Sequence, residues 1–236
     1  MNPEKGEILC FNKPYRWTSF DLVYKVRGKL KHHIGAPRLK VGHAGTLDPL
    51  ATGVMIICTG KATKLIDQLQ AHTKEYVATL KLGATTPSFD RETEEDNTYP
   101  TSHLTPQLIE QTLKQFQGTI MQVPPIYSAV KIDGKRAYEY ARKGRDVQLK
   151  AKPLTIDEIE LTHCDLDNQS ITIRVVCSKG TYIRALARDI GQALGSGAYL
   201  TDLCRTRIGD YRLDHCLDIH TFDQWLADQT FETQDP

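Results

Sequence analysis

Long apolar stretches are missing from this chain of 236 residues, and no run approaches the ~20 residues that cross a bilayer as a helix. A membrane partner is therefore not expected. The first residues, Met1-Asn2-Pro3-Glu4-Lys5, have neither the basic nor the apolar region of a secretory signal. The six cysteines are scattered, with no Cys-x-x-Cys pair, which argues against a structural zinc site and a thioredoxin-like motif. Free thiols in a reduced, cytoplasmic protein are the expectation. The usual phosphate and hydrolase signatures are also missing. There is no Gly-x-Gly-x-x-Gly, no His-Glu-x-x-His and no Gly-x-Ser-x-Gly. Gly53 to Lys61 has its glycines too far apart for a P-loop, and Ala62 stands where Ser or Thr is needed. No internal repeat or low-complexity segment occurs.

What is present is an ordinary globular composition, 40% hydrophobic and 25% charged, with a net charge of only +1. The charge is unevenly placed. Six Lys or Arg and no acid lie between Leu22 and Leu47, and eight basic residues lie between Lys131 and Lys152. Seven acids but only Arg212 lie from Asp210 onward. Such runs are commonly solvated surface. Here Tyr24, Tyr138 and Tyr140 are interleaved with them, as in surfaces that grip nucleic acid.

The pattern along the chain predicts an α+β fold with a mixed, mainly antiparallel sheet flanked by helices. Strands are expected at Glu7–Lys13, Val54–Cys58, Lys74–Leu82, Leu154–Leu161 and Ile171–Cys177. Thr18-Ser19 can cap a helix with apolar residues Phe20, Val23, Val26 and Leu30, followed by a polar loop from His32 to Lys40. Gly60–Leu69 reads as helical, and Gly83–Thr101 as loop. Thr105-Pro106 opens a helix to about Phe116. Residues 121–152 are poor in apolar side chains and read as an insertion, with a turn at Asp133-Gly134-Lys135 and a short helix from Ala137 to Lys143. A helix is expected from Thr181 to Leu194, and an amphipathic piece at Phe222–Leu226. The whole is expected to be one domain with an acidic tail at about 213–236.

Two segments stand out chemically. In Gly42-His43-Ala44-Gly45-Thr46-Leu47-Asp48-Pro49-Leu50-Ala51-Thr52-Gly53 one carboxylate sits in a glycine-lined bend, and Pro49 pushes Asp48 away from helical geometry. A turn capped by Asp48 and a loop built for chemistry are both compatible with this composition. In Ser178-Lys179-Gly180-Thr181-Tyr182-Ile183-Arg184 an arginine falls at a helix start, where it opposes the helix dipole and suggests an anionic partner.

Seven segments, in order, carry a resemblance. They are Lys13-Pro14, Gly42–Gly53, Gly60-Lys61-Ala62-Thr63-Lys64, Lys74-Glu75-Tyr76, Pro124–Lys131, Lys179–Arg184 and Leu203-Cys204-Arg205-Thr206. Together they closely resemble the bacterial TruB family of tRNA pseudouridine synthases over roughly residues 7 to 212. The resemblance implies the pseudouridine synthase fold and an isomerase that converts uridine 55 in the T loop of tRNA to pseudouridine, with no cofactor and no metal. Asp48 then matches the catalytic aspartate, acting as a nucleophile or as a base on the sugar. Arg184 matches the arginine that pairs with it, and Asp90 an acid that helps fix the arginine. Tyr76 matches the tyrosine that stacks on the flipped base, although a strand aromatic of this kind is otherwise a core residue. Tyr182 and Leu203 match the lining of the uracil pocket, and His43 a residue that fills the space left by flipped bases. Lys64 belongs to the matched Gly60–Lys64 segment and is a substrate-binding candidate. Residues 121–152 match an RNA-gripping insertion. Further expectations are a tRNA partner, no required protein partner, a monomer, and no C-terminal RNA-binding (PUA-type) domain. Pro87 and Cys204 depart from common family residues beside the site. Other readings are a synthase acting on another RNA and a tRNA-folding chaperone.

Overall fold

The structure, a computed structural model, describes residues 1–36, 38–128, 130–132, 135–141 and 149–231. The chain begins β1 (Ile8–Lys13), α1 (Ser19–Ile34), β2 (Val41–His43) and β3 (Ala51–Thr59), then a 3-10 turn at Gly60–Leu65, α2 (Ile66–Ala71) and β4 (Lys74–Leu82). Next come β5 (Ala84–Thr85), β6 (Asn97–Thr98), α3 (Pro106–Lys114), β7 (Gly118–Gln122), β8 (Lys131–Ile132), β9 (Lys135–Arg136) and α4 (Ala137–Ala141). Then follow β10 (Lys152–Asp165), β11 (Ser170–Cys177), α5 (Ile183–Ala193), β12 (Ala198–Ile208), β13 (Tyr211–Arg212) and α6 (Phe222–Ala227). This is the expected α+β architecture, and the named strand pairs with assigned register are antiparallel.

Two compact units divide the chain. One comprises Met1–Glu75 and the chain from Cys204 onward; the other is Tyr76–Leu203. In the first, β3 lies between β1 and the last residues of β12, and β2 also pairs with β3. Helix α1 buries Leu22, Val23, Val26 and Leu30 at helical spacing, against Leu9 and Phe11 of β1, Met55 and Ile57 of β3, and Phe222 of α6. Its start is a capping box. Thr18 accepts from the Asp21 backbone while the Asp21 side chain accepts from the Thr18 backbone. In the second unit the strand order runs from β12 through β4, β11 and β10 to β7. β4 alternates strictly, burying Tyr76, Ala78, Leu80 and Leu82 on one face. α3 starts on Thr105, whose hydroxyl accepts from the Leu108 backbone at 3.2 Å, with Pro106 in its first turn.

Three expectations need correction. α1 does not stop before His32. It runs to Ile34 and ends on Gly35 in the left-handed conformation (φ 67°). Polar His32 and His33 continue the helix because only one stripe of a surface helix has to be apolar. β10 extends well beyond Leu154–Leu161 in both directions, since its ladders with β7 and β11 supply backbone partners where no buried side chain marks a strand. Gly83–Thr101 is not all loop, because β5 and β6 pair within it. The predicted Asp133-Gly134 turn and the end of the predicted helix beyond Ala141 lie outside the described residues.

Candidate active site

The Asp48 loop belongs to the first unit, and its backbone is held at every step. Five consecutive carbonyls each accept a hydrogen bond. Gly45 O and Thr46 O accept from the Arg205 guanidinium, at 3.1 and 3.3 Å. Leu47 O accepts from the Ser19 hydroxyl at 2.9 Å, and that hydroxyl also takes the Leu47 N–H at 2.8 Å. Asp48 O accepts from Ala51 N at 3.0 Å, which closes a turn with Pro49 in its second position. Pro49 O accepts from Arg16 N at 2.8 Å and from the Lys13 ammonium at 3.4 Å. A bend of this kind cannot drift without breaking several bonds, so the half-buried Asp48 is presented on a fixed backbone.

Glycine is required where the loop rejoins β3. Gly53 has φ 110°, and a Cβ there would lie 2.2 Å from the carbonyl oxygen of Arg205. This close approach brings the Arg205 side chain beneath the loop, where its Nε also donates to Val54 O at 2.8 Å.

Two cations were not singled out individually by the sequence reading. Lys13 is fully buried, and its ammonium donates to Pro14 O at 2.8 Å and Trp17 O at 2.6 Å. Burial pushes its pKa down to about 8, against the opposing pull of the Asp48 carboxylate; Arg205 lowers it further. A signal was available, because Leu9, Phe11 and Lys13 share the buried phase of β1. Arg205 is likewise almost fully buried. His43, at the end of β2, is held below its ordinary pKa by burial first and by Arg205 second, while a Gly45 backbone contact acts the other way. Lys64 is exposed at the end of the 3-10 turn.

The depressed Lys13 pKa has a measurable consequence. Between about pH 8 and the ordinary lysine value of 10.5, the folded chain has released a proton that the unfolded chain keeps. The unfolded state binds more protons in that window, so the Lys13 contribution makes folding stability rise with pH. Urea midpoints measured from about pH 7.5 to about pH 10 are expected to rise more for the native chain than for Lys13→Met. Parallel curves would remove the charged, buried lysine from the picture.

In the second unit Asp90 is brought to Arg184. Its Nε lies 3.6 Å from Asp90 Oδ2, NH1 donates to Ser88 O at 3.2 Å and NH2 to Tyr127 O at 2.9 Å. Both ion-pair partners are buried. The expected Asp90–Arg184 pairing is thus present, and an arginine in the first turn of α5 is accommodated by a carboxylate and two carbonyls. The segment that supplies Ser88 O and the Asp90 carboxylate bends at Phe89, which has φ 63°. Few bulky residues adopt that conformation, and in this one Arg188 stacks over the Phe89 ring at 4.9 Å. Tyr182 precedes α5, and buried Gln122 clamps its backbone on both sides, accepting from Tyr182 N at 2.9 Å and donating to Tyr182 O at 3.2 Å. Tyr76 and Leu203 are buried. Among the described residues no group of three or more His, Cys, Asp or Glu could hold a metal ion, and no helix is long and apolar enough to cross a membrane.

Comparison with known proteins places this geometry in a family. The model of the TruB family pseudouridylate synthase N-terminal domain matches residues 31–183, and that of the tRNA pseudouridylate synthase B C-terminal domain matches 184–235. The chain is 64% identical over 232 residues to tRNA pseudouridine synthase B of Phocaeicola vulgatus, covering 98% of each sequence. It is 65% identical over 237 residues to that of Bacteroides thetaiotaomicron, covering 100% of this chain and 99% of the relative. Among solved structures it is similar to a chain of a Cbf5–Nop10–Gar1 complex, with 29% identity and a TM-score of 0.71, over 95% of this chain and 55% of the other. The archaeal box H/ACA sRNP Nop10–Cbf5 complex gives 25% identity and a TM-score of 0.67, over 95% and 55%. The chain spans about half the length of those solved chains. It belongs to the TruB family of pseudouridylate synthases.

Proposed function

We propose that this chain converts uridine 55 in the T loop of tRNA to pseudouridine. The observation that carries the reading is 62–65% identity to proteins named tRNA pseudouridine synthase B, over nearly their full length. In the reaction the N1–C1′ glycosidic bond breaks, the base turns, C5 bonds to C1′, and the C5 proton leaves to solvent. Asp48 is the reacting carboxylate, as nucleophile or as sugar base; either role needs it ionised and held still. The braced loop supports this. Tyr76 offers an aromatic face to a uracil taken out of its stack, Tyr182 and Leu203 contribute to its pocket, and Arg184 supplies positive charge, with Asp90 holding it in orientation. His43, neutral near pH 7, occupies space among the T-loop bases, and Lys64 meets backbone phosphate. The enzyme acts as a monomer, in the cytoplasm, without a protein partner.

A second reading, action on another RNA in a guided assembly, has support from the Cbf5 complexes. Their identity of 25–29% is far below that of the tRNA enzymes, so tRNA is preferred. The decisive measurement is tritium release from RNA carrying 5-tritiated uridine. A free tRNA transcript is expected to lose one label per molecule, with pseudouridine appearing in the T loop. Release from another transcript but not from tRNA would favour the second reading, and release from neither would overturn the assignment.

A further inference from the structure

We propose that Cys10 and Cys216 are a thiol pair that oxidises reversibly to a disulfide, an oxidation site separate from the uridine chemistry. The two sulfurs lie 2.9 Å apart. A disulfide bond is about 2.05 Å long, so closure asks for a movement of less than about 1 Å. The main chains on either side are already joined. Leu217 N donates to Cys10 O at 2.8 Å, Asn12 N donates to Leu217 O at 3.0 Å, and Phe11 and Leu217 form a parallel bridge. Little backbone rearrangement separates the dithiol from the bonded pair.

The surroundings divide the labour between the sulfurs. The sulfur–sulfur contact, in which either thiol can donate, holds the Cys10 pKa below the ordinary value; burial opposes this and the Arg205 charge assists it. Cys216 is raised by the same contact, then by burial. Cys10 is therefore the thiolate that attacks and Cys216 the thiol that resolves. Both are partly exposed, so a small oxidant can reach them. Cys58 is buried and pushed up to about 11, which leaves it inert.

With a hydroperoxide as oxidant the steps balance. The Cys10 thiolate attacks the peroxide oxygen, the O–O bond breaks, and the departing hydroxide takes a proton, leaving Cys10 sulfenic acid and water. Cys216 then attacks the Cys10 sulfur as its proton goes to the leaving hydroxyl, giving the disulfide and a second water. The link ties β1 to the segment after β13, and it closes a loop that contains most of the chain. Such a link mainly restricts the unfolded state, so the oxidised protein is the more heat-resistant form.

The test treats the whole protein with hydrogen peroxide, alkylates the remaining thiols in denaturant and maps peptides by mass spectrometry. Two of the six thiols are expected to escape alkylation, with a Cys10–Cys216 cross-linked peptide two hydrogens lighter than its parts, reversed by dithiothreitol. The melting midpoint is expected to rise on oxidation in the native chain and to stay unchanged in Cys10→Ser and in Cys216→Ala. Six alkylatable thiols after treatment, or sulfinic acid at Cys10 without a cross-link, would overturn the proposal. The thiol count needs no variant, so it stands even if a substitution perturbs folding.

Discussion

Asp48→Asn is expected to abolish tritium release from tRNA, by at least about a thousandfold, or about 4 kcal/mol of transition-state stabilisation. The change keeps the size of the side chain and removes its charge. Binding of tRNA is expected to stay within about threefold, since shape and phosphate contacts supply most of the affinity. The fold is expected to survive, because the turn is held through the carbonyls of residues 45–49 and not through the carboxylate alone. The variant carries an internal check. Asp48 opposes the downward shift of Lys13, so its neutralisation should lower the lysine pKa further, below about 8. The pH window of the Lys13 effect on stability should widen toward neutrality. Equal tritium release by the native chain and Asp48→Asn would remove Asp48 from the chemistry.

Arg205→Met should cost more stability than any other single change at the loop. Methionine fills part of the space but donates nothing, so the carbonyls of Gly45, Thr46 and Val54 lose their partner together. A buried acceptor left without a donor costs about 1–3 kcal/mol. Allowing for the more accessible Thr46, the total is about 3–6 kcal/mol, a large part of the 5–15 kcal/mol that holds a typical domain. Urea unfolding should show a much lower midpoint with little change in slope. Arg205→Lys should recover only part of the loss, because one ammonium cannot span three carbonyls that a planar fork reaches. A loss below about 1 kcal/mol for Arg205→Met would mean that the loop does not depend on the guanidinium. Where the variant is still folded, its turnover should fall as well, since the backbone that presents Asp48 has lost its lower support.

The parts of this arrangement differed in how far they could be read from the sequence. β3, β4, α3 and α5 were legible because apolar periodicity and caps are local signals. The ends of α1 and β10 were not, since Gly35 and the partner strands set them. The roles proposed for Asp48, Tyr76 and Arg184 come from resemblance; periodicity alone makes Tyr76 a core aromatic, and it is buried on β4. The bracing was harder. Ser19 looked like part of a helix cap, yet Thr18 caps α1 and Ser19 holds Leu47. Lys13 and Arg205 look like surface charges in a composition count. Arg205 is buried where carbonyls more than 150 residues away converge on it, and Lys13 where its neighbours Pro14 and Trp17 and the more distant Pro49 offer carbonyls; only the folded chain brings these together.

The Gly53–Arg205 approach also bears on the order in which the protein can be completed. Val54 O and the Arg205 Nε that binds it are 151 residues apart in the chain. At 5–20 residues per second, a ribosome needs about 8–30 s to travel from one to the other. During that interval the nascent chain already carries Asp48, while the carbonyls of Gly45 and Thr46 still await their guanidinium. The Asp48 loop is therefore among the first pieces to be synthesised and among the last to be locked.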